Sequence, residues 1–196
     1  RLSRRRRLFG RDRETIDEAY PGDVVGLVNP GLFTIGDTLT SDPALTFDPI
    51  PHFPPECFGL LRTQDISKHK QFQKGLKQLE EEGVMQIFYS PDHVRREPVL
   101  AAVGELQFDV VMSRLENEYG VKTSVERLPH ALARWIVGDP ATILAVYWPS
   151  DTIRLVDQQG RGVMLFTTEH LLAYCIKSNP SIKFLLREEV EQTSAQ

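Results

Sequence analysis

Apolar residues in the first forty positions come in short bursts set between turn formers. Leu8-Phe9, Val24-Val25-Gly26-Leu27-Val28 and Thr38-Leu39-Thr40 read as strands. Pro21-Gly22-Asp23, Asn29-Pro30-Gly31 and Gly36-Asp37 read as the turns between them. Three or four strands in so few residues do not make a stable unit alone. The segment reads as the end of a β-barrel. Pro43, Pro49, Pro51, Pro54 and Pro55 follow, five of the chain's 13 prolines. Each removes a backbone donor and disfavours helix before it, so an extended connector is expected here.

Beyond the prolines the period changes. Cys57 to Leu61 is an apolar strand. Phe72, Leu76 and Leu79 recur at helical spacing, which predicts a helix from Ser67 to Glu82, capped by Ser67 and stopped by Gly83. Val84 to Tyr89 and Pro98 to Val103 are strands. Gly104 opens a helix from Glu105 to Tyr119, with Phe108, Val111, Met112, Leu115 and Tyr119 on one face. Gly120 ends it, and Val121 to Val125 is the next strand. The order is βαββαβ, the ferredoxin-like plan. It then repeats more faintly. Ala131 to Val137 is a strand, Asp139-Pro140 open a short helix, and Thr152 to Val156 and Gly162 to Phe166 flank the hairpin loop Asp157 to Arg161. Thr168 caps a helix from Glu169 to Ser178, and Ile182 to Leu186 is the last strand. Glu188 to Gln196 is polar and is expected to fray.

The expected class is therefore α+β: a partial β-barrel followed by two ferredoxin-like βαββαβ modules in tandem, alike in element order. The expected domains are 1–42, a connector 43–55, and an α+β domain 56–196. The last divides into halves 56–127 and 128–187 and a tail 188–196.

The 196 residues carry no apolar run long enough to span a bilayer and no signal peptide, which argues against membrane and secreted readings and for the cytoplasm. The chain starts with Arg1, not Met, and reads as a piece of something longer. Cys57 and Cys175 read as free thiols in a reducing compartment. Motifs of catalysis are missing from the sequence. There is no GxxxxGK[ST], GxGxxG or GxSxG run, and the five histidines lack metal-ligand spacing. Glu80-Glu81-Glu82 fan around a helix end and read as a solvated face. No catalytic, cofactor or metal residue is assigned.

Charge changes this picture. Seven arginines against one acid in residues 1–13 give a net +6, while the remaining 183 residues carry a net −10. Arg4, Arg5, Arg6 and Arg7, with Arg11 and Arg13, are candidates for contact with an RNA backbone, since arginine pairs bidentately with phosphate. A solvated chain end is the plainer reading. Lys70, Lys74 and Lys77 line the helix face opposite Phe72, Leu76 and Leu79 and form a candidate basic ridge. Lys68 and Lys70 at the positive end and Glu80 to Glu82 at the negative end also run against the helix dipole.

The run Ala102-Val103-Gly104-Glu105-Leu106-Gln107-Phe108, with Arg114-Leu115 and Tyr119-Gly120-Val121, resembles the third domain of ribosomal translocation factors. Gln107 and Phe108 stand where those have His and Leu. A closer resemblance is to the bacterial peptide chain release factor 3 family. Glu18-Ala19-Tyr20-Pro21-Gly22-Asp23 and Ile35-Gly36-Asp37-Thr38 resemble the end of its second, β-barrel domain. Gln78-Leu79-Glu80-Glu81-Glu82-Gly83, Val103 to Val111 and Ala133-Arg134-Trp135 resemble its third domain. The likeness is specific from about Thr15 to Val137 and weaker after it. It implies the C-terminal part of a translational GTPase whose G domain, with GTP and Mg, lies upstream. It implies the ribosome as partner, through rRNA and small-subunit proteins, with the codon-reading release factors acted on indirectly and no membrane. The fragment itself would be a monomer without cofactor, serving docking and interdomain signalling. A translocase or ribosome-protection factor fragment is the alternative within the class. A small-ligand regulatory module or a plain interaction domain are the alternatives outside it.

Overall fold

The chain divides into two units, residues 1–49 and 50–196. The computed structural model describes residues 6–9, 12–15, 18–28, 32–33, 35–47, 53–91 and 97–194.

The first unit holds a three-stranded antiparallel sheet in the order β2-β1-β3, from β1 (Arg6–Phe9), β2 (Asp12–Thr15) and β3 (Val25–Gly26). β2 has no apolar signal; it forms by pairing, with Leu8 opposite Arg13. The strand expected over Val24 to Val28 shrinks to two residues, and Val24 and Val28 stay exposed. The strand expected at Thr38 to Thr40 does not form. Its hydroxyls bind backbone instead: Phe47 N donates to Thr38 Oγ1 at 3.2 Å and Asp42 N to Thr40 Oγ1 at 3.0 Å. Such local bonds compete with a ladder. The turn at Pro21-Gly22 is present, with Gly22 at φ +95°. The turn expected at Asn29 to Gly31 lies outside the described residues.

In the second unit the first βαββαβ half comprises β4 (Cys57–Thr63), α1 (His69–Glu81), β5 (Gln86–Phe88), β6 (Val99–Ala102), α2 (Leu106–Tyr119) and β7 (Thr123–Leu128). The second comprises β8 (Leu132–Val137), α3 (Pro140–Ala145), β9 (Thr152–Val156), β10 (Gly162–Phe166), α4 (Glu169–Ser178) and β11 (Lys183–Leu185). The sheets run β5-β6-β4-β7 and β11-β8-β10-β9, all antiparallel. In each, the half's first and third strands are central and its second and fourth are at the edges. The repeat of element order is thus a repeat of topology.

Alternation along each strand divides the sheets into two faces. Leu61, Ile87, Leu100 and Ala102 meet Phe72, Leu76 and Leu79 of α1 and Phe108, Val111 and Leu115 of α2. The opposite face of sheet one gives Phe58, Phe88, Val99 and Ala101 to a core shared with Ala133, Trp135, Leu155, Val163 and Leu165 of sheet two. The outer face of sheet two packs Met164 and Phe166 beneath Ile143 of α3 and Leu172 and Cys175 of α4. The layers are helix, sheet, sheet, helix. Phe88 and Trp135 meet edge to face at 5.8 Å, and Tyr89 and Val156 exchange two backbone hydrogen bonds of 2.8 Å.

Local details depart from expectation. Ser67 does not cap α1; its N–H and hydroxyl both donate to Asp65 Oδ1, at 2.9 and 2.6 Å. That turn draws Ile66–Lys68 into a 3-10 segment, and α1 begins at His69. Gly75 lets α1 and α2 close: a Cβ there would lie 2.7 Å from Leu115 Cδ2. Gly120, at φ +67°, ends α2, and Val121 N donates to Leu115 O in the bond that closes the last turn. The polar tail does not fray at its start. Residues Arg187–Ser194 form α5, whose Val190 enters the shared core. Leu186 N donates to Glu189 Oε2 at 2.6 Å, so one apolar anchor and one cap hold a helix that composition does not reveal.

Candidate nucleic-acid interface

α1 buries Phe72, Gly75, Leu76 and Leu79, which turns Lys70, Lys74 and Lys77 to solvent as one stripe at i, i+4, i+7. Lys77 lies 3.7 Å from Glu81, both well exposed, a pairing of little energy. Lys70 and Lys74 have no ion pair among the described residues. Lys68 is spent elsewhere. Its Nζ donates to Gly120 O at 2.6 Å, so a cation ill placed on its own helix dipole satisfies the carbonyl end of α2.

The arginine candidates belong to the other unit. Arg4, Arg5 and Arg11 lie outside the described residues. Arg6 and Arg7 are consecutive in β1, with Arg6 opposite Thr15 and Arg7 opposite Glu14; Arg13 is in β2 opposite Leu8.

The acids at the end of α1 are not one solvated face. Glu80 is half-buried, and Gln158 of the second half donates to its Oε2 at 2.6 Å. Burial pushes its carboxyl up to about 7, against hydrogen bonds from the Ile87 backbone and Gln158 and the charge of Arg187, with Asp157 adding to the rise. Glu82 and Glu118 are both held by Arg114, at 2.6 Å each, and those bonds keep both carboxyls below the usual range. Glu105 reaches Arg127 at 3.6 Å, whose guanidinium lies 4.4 Å from the Phe108 ring centre. Gln107, not Glu105, ties down the start of α2: Val103 N donates to its Oε1 at 2.7 Å.

A second concentration of positive charge escapes the sequence reading. Arg134 in β8 and Arg154 in β9 both pair in register with Met164 in β10. All three therefore occupy one row on the outer face of sheet two. Leu132 and Ile136 flank Arg134 on that face, and this parity was the available signal. Five arginines of this unit, Arg62, Arg114, Arg127, Arg161 and Arg187, each have a carboxylate partner. Arg134 and Arg154 have none among the described residues. Arg134 Nη1 donates to Ala133 O at 2.8 Å, while Arg154 Nε is buried with no hydrogen-bond partner.

A hollow of about 60 Å³ is lined by Phe53, Pro55, Gln86, Trp135 and Arg187 among others, with room for a few waters. Among the described residues, no three His, Cys, Asp or Glu side chains are grouped to hold a metal, and no helix is long and apolar enough to cross a membrane.

Residues 47–176 match the family model described as class II release factor RF3, C-terminal domain. The chain belongs to the class II release factor RF3 family. Residues 1–42 match elongation factor G domain 2. The peptide chain release factor 3 of Gloeobacter violaceus is 50% identical over 185 residues, which is 94% of this chain and 35% of that relative. That of Nostoc punctiforme is 49% identical over 93% of this chain and 34% of its own length. The proteins of this name from Synechococcus elongatus and Trichormus variabilis are 49% and 48% identical over the same share of the chain. The chain spans about a third of the length of these RF3 relatives.

Proposed function

We propose that this chain is the ribosome-docking C-terminal part of a translation-termination GTPase that promotes departure of the codon-reading release factors. What supports the reading is the RF3 match over residues 47–176. GTP and Mg belong, on this reading, to a part of the protein outside these 196 residues, whose sequence has no phosphate-cradling loop. Catalysis is not the task of this chain, which works as a monomer in the cytoplasm.

The mechanical role follows from the layers. Two sheets that share a core cannot rotate independently without exposing Phe88, Trp135 and Leu165. The α+β domain then moves as one body and passes on a change of nucleotide state as displacement. On this reading the domain spans residues 56–196, behind a connector at 43–55 and a barrel end at 1–42.

Docking is electrostatic at Arg4 to Arg7, Arg11, Arg13 and the exposed stripe Lys70, Lys74 and Lys77. An acidic chain is repelled by RNA on average, so attraction must come from local patches. With about four phosphates neutralised, the log–log salt slope of binding to small subunits is of order −3 to −4. Replacing Arg4 to Arg7 by Ser flattens this slope, and replacing the three lysines flattens it less. A salt titration of small-subunit binding for the complete protein and both variants checks this. An unchanged slope in the arginine variant reduces that cluster to a solvated segment.

A further inference from the structure

We propose that Glu80 is a proton-controlled catch between the two halves: protonated, it holds the β9–β10 hairpin against the edge of β5, and ionised, it opens that edge of the seam to water while the shared core stays closed. The catch is a property of the fold and does not depend on the ribosome-docking reading.

β5 is an edge strand of sheet one, and groups from two directions cover its outward backbone. The Ile87 N–H goes to the Glu80 carboxyl, which arrives from the end of α1. The Tyr89 N–H goes to Val156 O, and Val156 N donates back to Tyr89 O, both at 2.8 Å. Gln158, in the hairpin loop, donates to Glu80 Oε2 at 2.6 Å across 78 positions of sequence. One carboxyl thus ties α1 and β5 of half one to the hairpin of half two. The hairpin keeps its own shape without that bond. Asp157 Oδ1 accepts from the N–H groups of Gln159 and Arg161 at 2.9 Å each, and Asp157 Oδ2 accepts from Trp135 Nε1 at 2.9 Å. All of these bonds lie within half two, so they survive when the seam opens.

The charges around Glu80 are set against its ionised form. Asp157 on the hairpin has the same sign. Arg187 at the start of α5 is the cation that faces it, and Glu191 already holds that guanidinium at 2.7 Å. Tyr89, beyond the end of β5, is pushed up to about 12 by burial and by the Glu80 charge, so it stays neutral. On α1 itself, Lys77 lies 3.7 Å from Glu81. Half-burial outweighs what the Ile87 and Gln158 bonds return, and the carboxyl rises to about 7. Water reaching it restores a value near the ordinary 4.5. The closed seam therefore binds the proton more tightly than the open one, and closure weakens as pH rises through 7.

Hydrogen exchange of the complete protein, read by mass spectrometry and corrected for intrinsic rates, tests this. Protection of the segments holding Tyr89 and Val156 falls about tenfold between pH 6 and pH 8. At each pH these segments exchange faster than the one holding Leu165 in the shared core, the mark of an opening smaller than unfolding. Glu80→Gln keeps an acceptor and removes the charge, and its protection at Tyr89 and Val156 stays level across the range. Level protection in the wild type, or a fall in Glu80→Gln as large as in the wild type, overturns the proposal. So does equal protection of the Val156 and Leu165 segments, which would mean unfolding and not a catch. A second measurement needs no variant. Carbon NMR of the glutamate carboxyl groups in the wild type shows one signal titrating near 7. If every glutamate titrates near the ordinary value, the catch does not exist.

Discussion

The two βαββαβ halves share a topology and treat their outer faces in opposite ways. Half one covers its sheet with helices of 13 and 14 residues over the row Gly59, Leu100 and Ile87. Half two has helices of 6 and 10 residues, and its corresponding row is Arg134, Met164 and Arg154. The long helices start without a side-chain cap on their N-cap residue, whereas Asp139 and Thr168 cap the short ones. A long amphipathic helix is held by its buried face; a short one has less face to bury and leans on its ends. One plan thus carries an apolar row beneath two long helices in half one, and in half two a buried Met164 flanked by two partly buried arginines beneath shorter ones.

The largest expected effect asks whether these contrasting halves are separable at all. Trp135→Ala removes the largest side chain at their junction, including its edge contact with Phe88 and its N–H bond to Asp157. A loss of about 3–5 kcal/mol is expected. Urea unfolding followed by circular dichroism and by fluorescence of Trp148, then the sole tryptophan, stays a single coincident transition. Separate midpoints would mean two independently folding halves.

The next effect concerns the polar seam between them. Glu80 takes up a proton at about 7 in the fold and near its ordinary 4.5 when unfolded. The folded state therefore binds more protons between those values, and stability falls as pH rises through that window. Asp157, Arg187 and Tyr89 face this carboxyl, and its ionised form is the costly one. Glu80→Gln keeps an acceptor for Gln158 and stabilises the protein by about 1–2 kcal/mol at pH 8, discounted for partial solvation. The gain disappears near pH 4.5. Urea midpoints at pH 5, 6, 7 and 8 check the sign, and a gain at pH 5 as large as at pH 8 would refute it.

The smallest effect sharpens the contrast in helix ends. Asp139→Ala and Thr168→Ala each lose the bond to a helix N–H, at 2.9 and 3.2 Å, and cost about 1 kcal/mol. Ser67→Ala, at the start of the long α1, stays within about 0.5 kcal/mol, since its hydroxyl only donates to Asp65. Thermal midpoints of the three variants rank them.

Periodicity made most of the second unit legible, because Phe72, Leu76 and Leu79 or Phe108, Val111 and Leu115 can serve only a helix with one buried face. It started β7 two residues early because Val121, though apolar and β-branched, is buried closing the last turn of α2. It missed β2, whose sequence Asp12-Arg13-Glu14-Thr15 has no apolar pattern, and α5, a polar run in which Val190 enters the shared core. The candidate surface was legible where charge repeats locally, as in the α1 lysines. Arg134 and Arg154 are 20 positions apart, and only the register across Met164 makes them neighbours in one row.

The core shared between the sheets also has a consequence for the chain as it emerges from synthesis. Half one is complete at Leu128, yet the cover that sheet two gives Phe58, Phe88, Val99 and Ala101 is complete only once Leu165 has been added. At ~5–20 residues per second that is a wait of roughly 2–8 s with an adhesive sheet face and an open β5 edge. The opposite edge, β7, is better guarded through that interval, since Glu126 and Arg127 put charge of both signs along a strand that would otherwise invite a stray partner.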